Sequence, residues 1–178
     1  MGLNAPTPSD VIALSGGQGG LSSIVSAPVG RGRPLPIEAP SYWGAILAAR
    51  NAGVKLVPVP SGPGGPAPEI LDVVRKHGAF MVEDDWAHEV GIDSDPVAAR
   101  DDSGHVIYVR SLAKSVSPAI RMAAVVARGP ARERTSPTGS RGHVRQRAPA
   151  DARPGRGHLA GDRRIVAASA TSSGPAVT

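Results

Sequence analysis

The chain has 178 residues, 20 Lys and Arg against 15 Asp and Glu, and no cysteine. That length suits one domain of ordinary size, and the lack of thiols excludes a disulfide framework and a thiolate metal site. No apolar stretch approaches a membrane span, no basic start leads into an apolar core as a secretion signal would, and Pro6 stands where myristoylation of Gly2 wants Ser or Thr, so a soluble cytoplasmic protein is expected.

Strand and helix signals alternate along the first two-thirds. Val11 to Leu14 is a short apolar run, closed by Ser15-Gly-Gly-Gln-Gly-Gly20. Leu21 to Ala27 suits one or two helical turns. Leu35 to Glu38 is extended, because prolines 34 and 36 forbid helix. Ser41 to Ala52 has helical spacing at Ala45, Ile46, Ala48 and Ala49, and stops at Gly53. Val54 to Val59 reads as a strand, Ser61 to Pro68 as a Pro/Gly loop, and Glu69 to His77 as a helix. Phe80 to Val82 is a buried strand running into Glu83-Asp84-Asp85. Val106 to Val109 and Ala123 to Ala127 are further strands. Such alternation predicts an α/β three-layer sandwich with a mostly parallel central sheet over residues 8–130. Ligand groups gather at the carboxyl ends of such strands, and the suspect residues follow three of them.

From residue 131 to 178 the periodicity dissolves into Arg, Gly, Pro, Ser, Thr and Ala. This segment buries too little apolar surface to offset its ordering entropy and is expected to be a disordered basic tail. Residues 128–178 carry ten arginines against three acids, while residues 1–127 carry ten basic and twelve acidic residues, so the basicity belongs to the tail. Without an aromatic for stacking bases, the tail reads as solvated rather than as a nucleic-acid binder. It also looks like out-of-frame translation of a GC-rich gene.

Lys114 is the most suggestive single residue. It is one of three lysines and lies in Ser111-Leu-Ala-Lys-Ser-Val-Ser-Pro-Ala-Ile-Arg121, while Lys55 and Lys76 have bland surroundings. A positioned amine of lowered pKa forms a Schiff base with an aldehyde cofactor, and a serine hydroxyl with a fixed arginine suits a phosphate dianion. Together they read as a pyridoxal-phosphate lysine with part of its phosphate cup. A solvated loop lysine is the plainer alternative. Ser111-x-x-Lys114 also matches a penicillin-binding motif, whose Ser-Asp-Asn and Lys-Thr-Gly partners do not occur here. The glycine run does not fit the dinucleotide fingerprint, since Ser22 stands where its third glycine belongs. Asp84 and Asp85 suit a helix cap as well as a site. A metal site with His88 lacks a second histidine at ligand spacing, so no metal is expected. Tyr42 and Trp43 divide between a ring-stacking role and core packing.

Four motifs in order resemble fold-type I pyridoxal-phosphate enzymes, the class I/II aminotransferases. Over about residues 8 to 134 the chain is most similar to the aminotransferase-like domain of MocR-type regulators in the GntR family. The motifs are Ser15-Gly16-Gly17-Gln18-Gly19-Gly20-Leu21, Glu38-Ala39-Pro40-Ser41-Tyr42, Val82-Glu83-Asp84-Asp85-Trp86, and the Lys114 segment with Arg121. The resemblance implies pyridoxal 5'-phosphate as cofactor. Gly17 and Gln18 would meet its phosphate through backbone amides, with Ser111 and Arg121. Tyr42 would stack on the ring, and Asp84, with Asp85 close behind, would hold the pyridine nitrogen protonated. Lys114 would carry the cofactor as an imine and shuttle the proton at the substrate carbon. It further implies an amino acid or keto acid as substrate and a homodimer, with DNA contacted only through a domain absent from this chain.

Departures from the family pattern are as informative. The family's Asn-Pro strand before the acidic motif has no counterpart, as if deleted across Ser61 to Pro68. Trp86 replaces a tyrosine, and Ala113 replaces a common hydroxyl. Neither a C-terminal small domain nor a winged-helix domain is found. The expected activity is therefore amino transfer, with an effector-sensing domain of a transcription regulator, or an inactive fragment, as alternatives.

Overall fold

The structure is a computed structural model that describes residues 5–29, 31–60, 69–85, 95–135 and 165–169. Seven strands form one sheet in the order β1-β6-β5-β4-β7-β2-β3. They are β1 (Val11–Leu14), β2 (Pro34–Ala39), β3 (Lys55–Pro60), β4 (Phe80–Asp85), β5 (Val106–Ser111), β6 (Ala123–Ala127) and β7 (Ile165–Ser169). Four pairings are parallel; β6 alone runs against its neighbours β1 and β5. Since β1 and β5 both oppose β6, every strand but β6 ends on the same edge.

Among the described residues five helices cover the sheet: α1 (Gly17–Val29), α2 (Trp43–Ala52), α3 (Ile70–Lys76), α4 (Leu112–Ser115) and α5 (Gly129–Thr135). Side chains alternate across the pleat, and two cores result. Phe80, Val82, Ile107, Val109, Leu35 and Ile37 pack beneath α1, α2 and α5. Met81 and Val106 pack on the other side, under α3 and a 3-10 turn at Val97–Arg100. Helices on both faces make the expected three layers. Phe80, Met81 and Val82 are at most 2% exposed, as a strand covered on both faces requires.

The elements agree with the sequence reading in kind and differ at their ends. Helix α1 starts four residues before Leu21, inside the glycine run. Its spacing is masked in sequence because glycines carry no apolar signal. They are tolerated here because the helix lies close to the sheet: a side chain at Gly20 would strike Leu14. Helix α2 closes as expected on Gly53, which is left-handed at φ 69°. Strand β4 runs through the acids to Asp85 rather than ending before them.

Of residues 131–178 the structure describes two stretches. Helix α5 continues to Thr135, with Ala131 fully buried against the sheet. Residues Ile165–Ser169 form β7, in the interior of the sheet. The backbone hydrogen bonds of two parallel ladders offset the entropy that weighs against order in an isolated tail. Residues 136–164 and 170–178 lie outside the described residues, as do the Ser61 to Pro68 loop, Trp86 and His88. No described helix is long and apolar enough to cross a membrane.

Candidate functional site

The predicted residues gather at the carboxyl edge. Chain passes from β1 into α1 through Gly16, whose φ of 84° suits glycine. Its α-carbon faces the backbone carbonyl of Arg121; a side chain there would sit 3.6 Å from that oxygen. One residue on, a side chain at Gly17 would lie 3.8 Å from Ser111 Cβ. The start of α1 therefore lies directly beside the end of β5. Its first-turn N–H groups have no partner within the helix and carry its positive end.

Gln18 ties this corner to α2. Its Nε2 donates to the carbonyl of Gly44 at 2.9 Å. Tyr42 precedes α2, is half-buried against the core, and meets Trp43 edge-on with centroids 5.9 Å apart. A side chain at Gly44 would collide with Gln18 Oε1 and with the Tyr42 ring. Gly44 is a site-shaping residue that sequence reasoning missed. Its only signal was a glycine in the first turn of a helix, which costs about 1 kcal/mol unless space demands it.

Ser111 ends β5, and α4 follows at once. The Leu112 N–H donates to the Met122 carbonyl at 3.1 Å, which closes the 111–122 loop and returns Arg121 to the neighbourhood of Ser111. Arg121 itself is exposed and left-handed at φ 48°. Lys114 falls in α4, within a turn of Ser111; its backbone is described and its side chain lies outside the described part.

Alternation separates the two aspartates. Asp84 shares the side of Phe80 and Val82, the α1–α2 face, with Ser111 and the start of α1. Burial, and then the nearby charge of Asp85, push its carboxyl up to about 6. Asp85 points to the opposite face, where its Oδ2 accepts the Tyr108 hydroxyl at 2.6 Å. Burial and that hydrogen bond push the Tyr108 hydroxyl well above its usual range. Glu83, also on that face, accepts the backbone N–H groups of Val97 and Ala98, each at 2.9 Å; burial outweighs those bonds and raises its pKa. The pleat therefore places Asp85, the second candidate for the pyridine nitrogen, on the face away from Ser111 and the start of α1. Adjacent strand residues cannot serve one ligand on one face.

No protein-family model matches the chain. It is 29% identical over 153 residues to a probable rhizopine catabolism regulatory protein, MocR, of Rhizobium meliloti; the match covers 67% of this chain and 31% of the relative. It is 28% identical over 162 residues to a 2-aminoadipate transaminase of Thermus thermophilus, covering 67% and 41%. Among solved structures, LysN, an α-aminoadipate aminotransferase of Thermus thermophilus complexed with phosphopyridoxyl-leucine, superimposes with a TM-score of 0.63 at 28% identity, over 72% of this chain and 43% of that one. The chain spans about a third to two-fifths of the length of these curated relatives. Its relatives are thus regulators of the MocR type and a transaminase, and its fold is that of the fold-type I aminotransferases.

Proposed function

We propose that this aminotransferase-like domain holds pyridoxal 5'-phosphate on the α1–α2 face of the carboxyl edge, as the cofactor half of an amino-transfer site. The observation that carries the reading is convergence: Gly17, Gln18, Tyr42, Asp84 and Ser111 come from four separate segments to one face of one edge. The donor set fits the group. First-turn amides, a hydroxyl and a guanidinium match a phosphate dianion, and an aromatic ring with a buried carboxylate matches a protonated pyridine. When bound, the cofactor supplies an electron-withdrawing ring for amino transfer between an amino acid and a 2-keto acid.

The chain's own residues divide the remaining work. The amides of Gly17 and Gln18, with Ser111 and Arg121, bind the phosphate. Tyr42 would stack on the ring. Asp84 takes no hydrogen bond from the described residues, so it would hold a ring N–H protonated and gain a partner for its half-buried charge. Lys114 supplies the amine that attaches the cofactor and then moves the proton at the substrate carbon. A homodimer follows from the family resemblance. The likeness to MocR favours a second reading, in which the same site senses an effector and DNA is bound by another domain.

Borohydride reduction of protein mixed with pyridoxal phosphate, followed by peptide mapping, tests the site. Label at Lys114 is expected; label only at Lys55 or Lys76, or none, overturns it. Label at Lys114 with turnover of amino acids supports the enzyme, and label without turnover supports the sensor or an inactive domain.

A further inference from the structure

Chain order does not account for the middle of the sheet. Strands β2 and β4 stand one strand apart, and β7 fills the space. Phe80 to Asp84 pair in register with Ile165 to Ser169, and Ile37 pairs with Ala167 on the other side. Among the described residues no other ladder joins β2 and β3 to the β4-β5-β6-β1 group. Without β7, the backbone N–H and C=O groups along both β2 and β4 would border an open gap beneath the helices, which is costly.

The sequence of the segment suits the space. Ile165-Val166 is the only adjacent pair of Ile, Leu or Val in residues 136–178, and branched residues favour strands. Helix α1 lies against this strand. Asp162-Arg-Arg164 and Ser172-Ser-Gly-Pro175 flank the run with polar and turn-forming residues. Reach is ample: 29 residues connect Thr135 to Ile165, whereas β5, against which α5 packs, lies two strand spacings from β7, roughly 10 Å.

We propose that the basic tail carries a docking strand: Ile165–Ser169 inserts in cis between β2 and β4, joins the two halves of the sheet, and ends beside Asp84 at the carboxyl edge. The proposal is independent of the cofactor and is tested on the full chain without it. Amides of residues 166–169 should exchange with deuterium at least about 100-fold more slowly than amides of an unstructured chain. Ala167→Pro removes a donor from a central strand and should lower the unfolding midpoint by roughly 5–10 °C, while Ala176→Pro should leave it unchanged. The chain lacks cysteine, so Asp84→Cys with Ser169→Cys reports unambiguously; a short bis-maleimide should join them within one chain. Unprotected amides at 166–169, equal midpoints for both proline variants, or a cross-link found only between two chains would each overturn the proposal.

Discussion

The two edges of the sheet treat a carboxylate withdrawn from water in opposite ways. Asp101 precedes β5 at the amino edge. Burial acts against its charge, but Ser103, Val106 and His105 surround it with donors: the Ser103 hydroxyl at 2.8 Å and the N–H groups of Ser103, His105 and Val106 at 3.1, 2.6 and 2.7 Å. Those bonds win, and the carboxyl is held below its ordinary range. Asp84 at the carboxyl edge is half-buried without such donors among the described residues and is raised to about 6. A carboxylate whose donors are built in serves the fold. One left without them fits the proposed role of Asp84 toward a cofactor.

Removing the saturated carboxylate should have the largest effect. Asp101→Ala strands several buried backbone N–H groups, each worth about 1–3 kcal/mol, and is expected to cost about 3 kcal/mol in urea unfolding at pH 7. The pH dependence follows from the lowered pKa. Asp101 stabilises the fold above the unfolded value of about 3.9 and loses that contribution as pH falls through its depressed folded value. The Asp101→Ala deficit should therefore shrink below about pH 4. A deficit that does not change with pH would break the contrast.

Asp84→Asn should go the other way. A raised acid pKa means the folded chain binds the proton more tightly than the unfolded chain, so stability falls as pH rises from about 4 to about 6. Asparagine removes that fall. The cofactor-free variant should be more stable than the parent by as much as about 2–3 kcal/mol at pH 8 and indistinguishable near pH 3.5. Titration of the same variant with pyridoxal phosphate should show affinity lost by about 10-fold or more, about 1.4 kcal/mol. Gain of stability with loss of binding is the signature of a site residue; loss of both would return Asp84 to the ranks of structural groups.

The fold class was legible because apolar runs and helical spacing survive in residues 8–127, and the edge was legible because glycines, acids and Lys114 each follow a strand. Three things were not. The pleat that sends Asp84 and Asp85 to opposite faces depends on β4 extending through the acids, and charged residues hide a strand. The role of Gly44 depends on what stands opposite it in space. Strand β7 depends on a gap between β2 and β4, and a four-residue apolar run within a Gly/Pro/Arg-rich tail gives no sign of a gap elsewhere.

Tyr108→Phe probes the face opposite the site. It removes the buried hydroxyl that donates to Asp85 at 2.6 Å and should cost about 1–2 kcal/mol. Cofactor affinity should stay within a factor of about two, or roughly 0.4 kcal/mol, because the lesion lies across the sheet. A large loss of binding would show that the two faces are coupled through β4.

The smallest effect on stability is expected at Gly44, and it separates the edges most cleanly. Alanine suits the first turn of α2 better than glycine by up to about 1 kcal/mol, which favours the variant. Against this, the new methyl group meets Gln18 Oε1 and the Tyr42 ring. Both are ends of side chains at a half-open surface, so they can turn away without moving backbone. The two contributions nearly cancel, and the unfolding midpoint of Gly44→Ala should match the parent within about 2 °C, the shift that a few tenths of a kcal/mol produce. The displaced groups belong to two residues of the proposed site, and the bond that fixes Gln18 to the Gly44 carbonyl is lost with them. Affinity for pyridoxal phosphate should fall about 5-fold, near 1 kcal/mol, read by absorbance titration at constant pH. If affinity holds while the midpoint drops, Gln18 and Tyr42 belong to the packing of α1 against α2, and the cofactor does not sit between them.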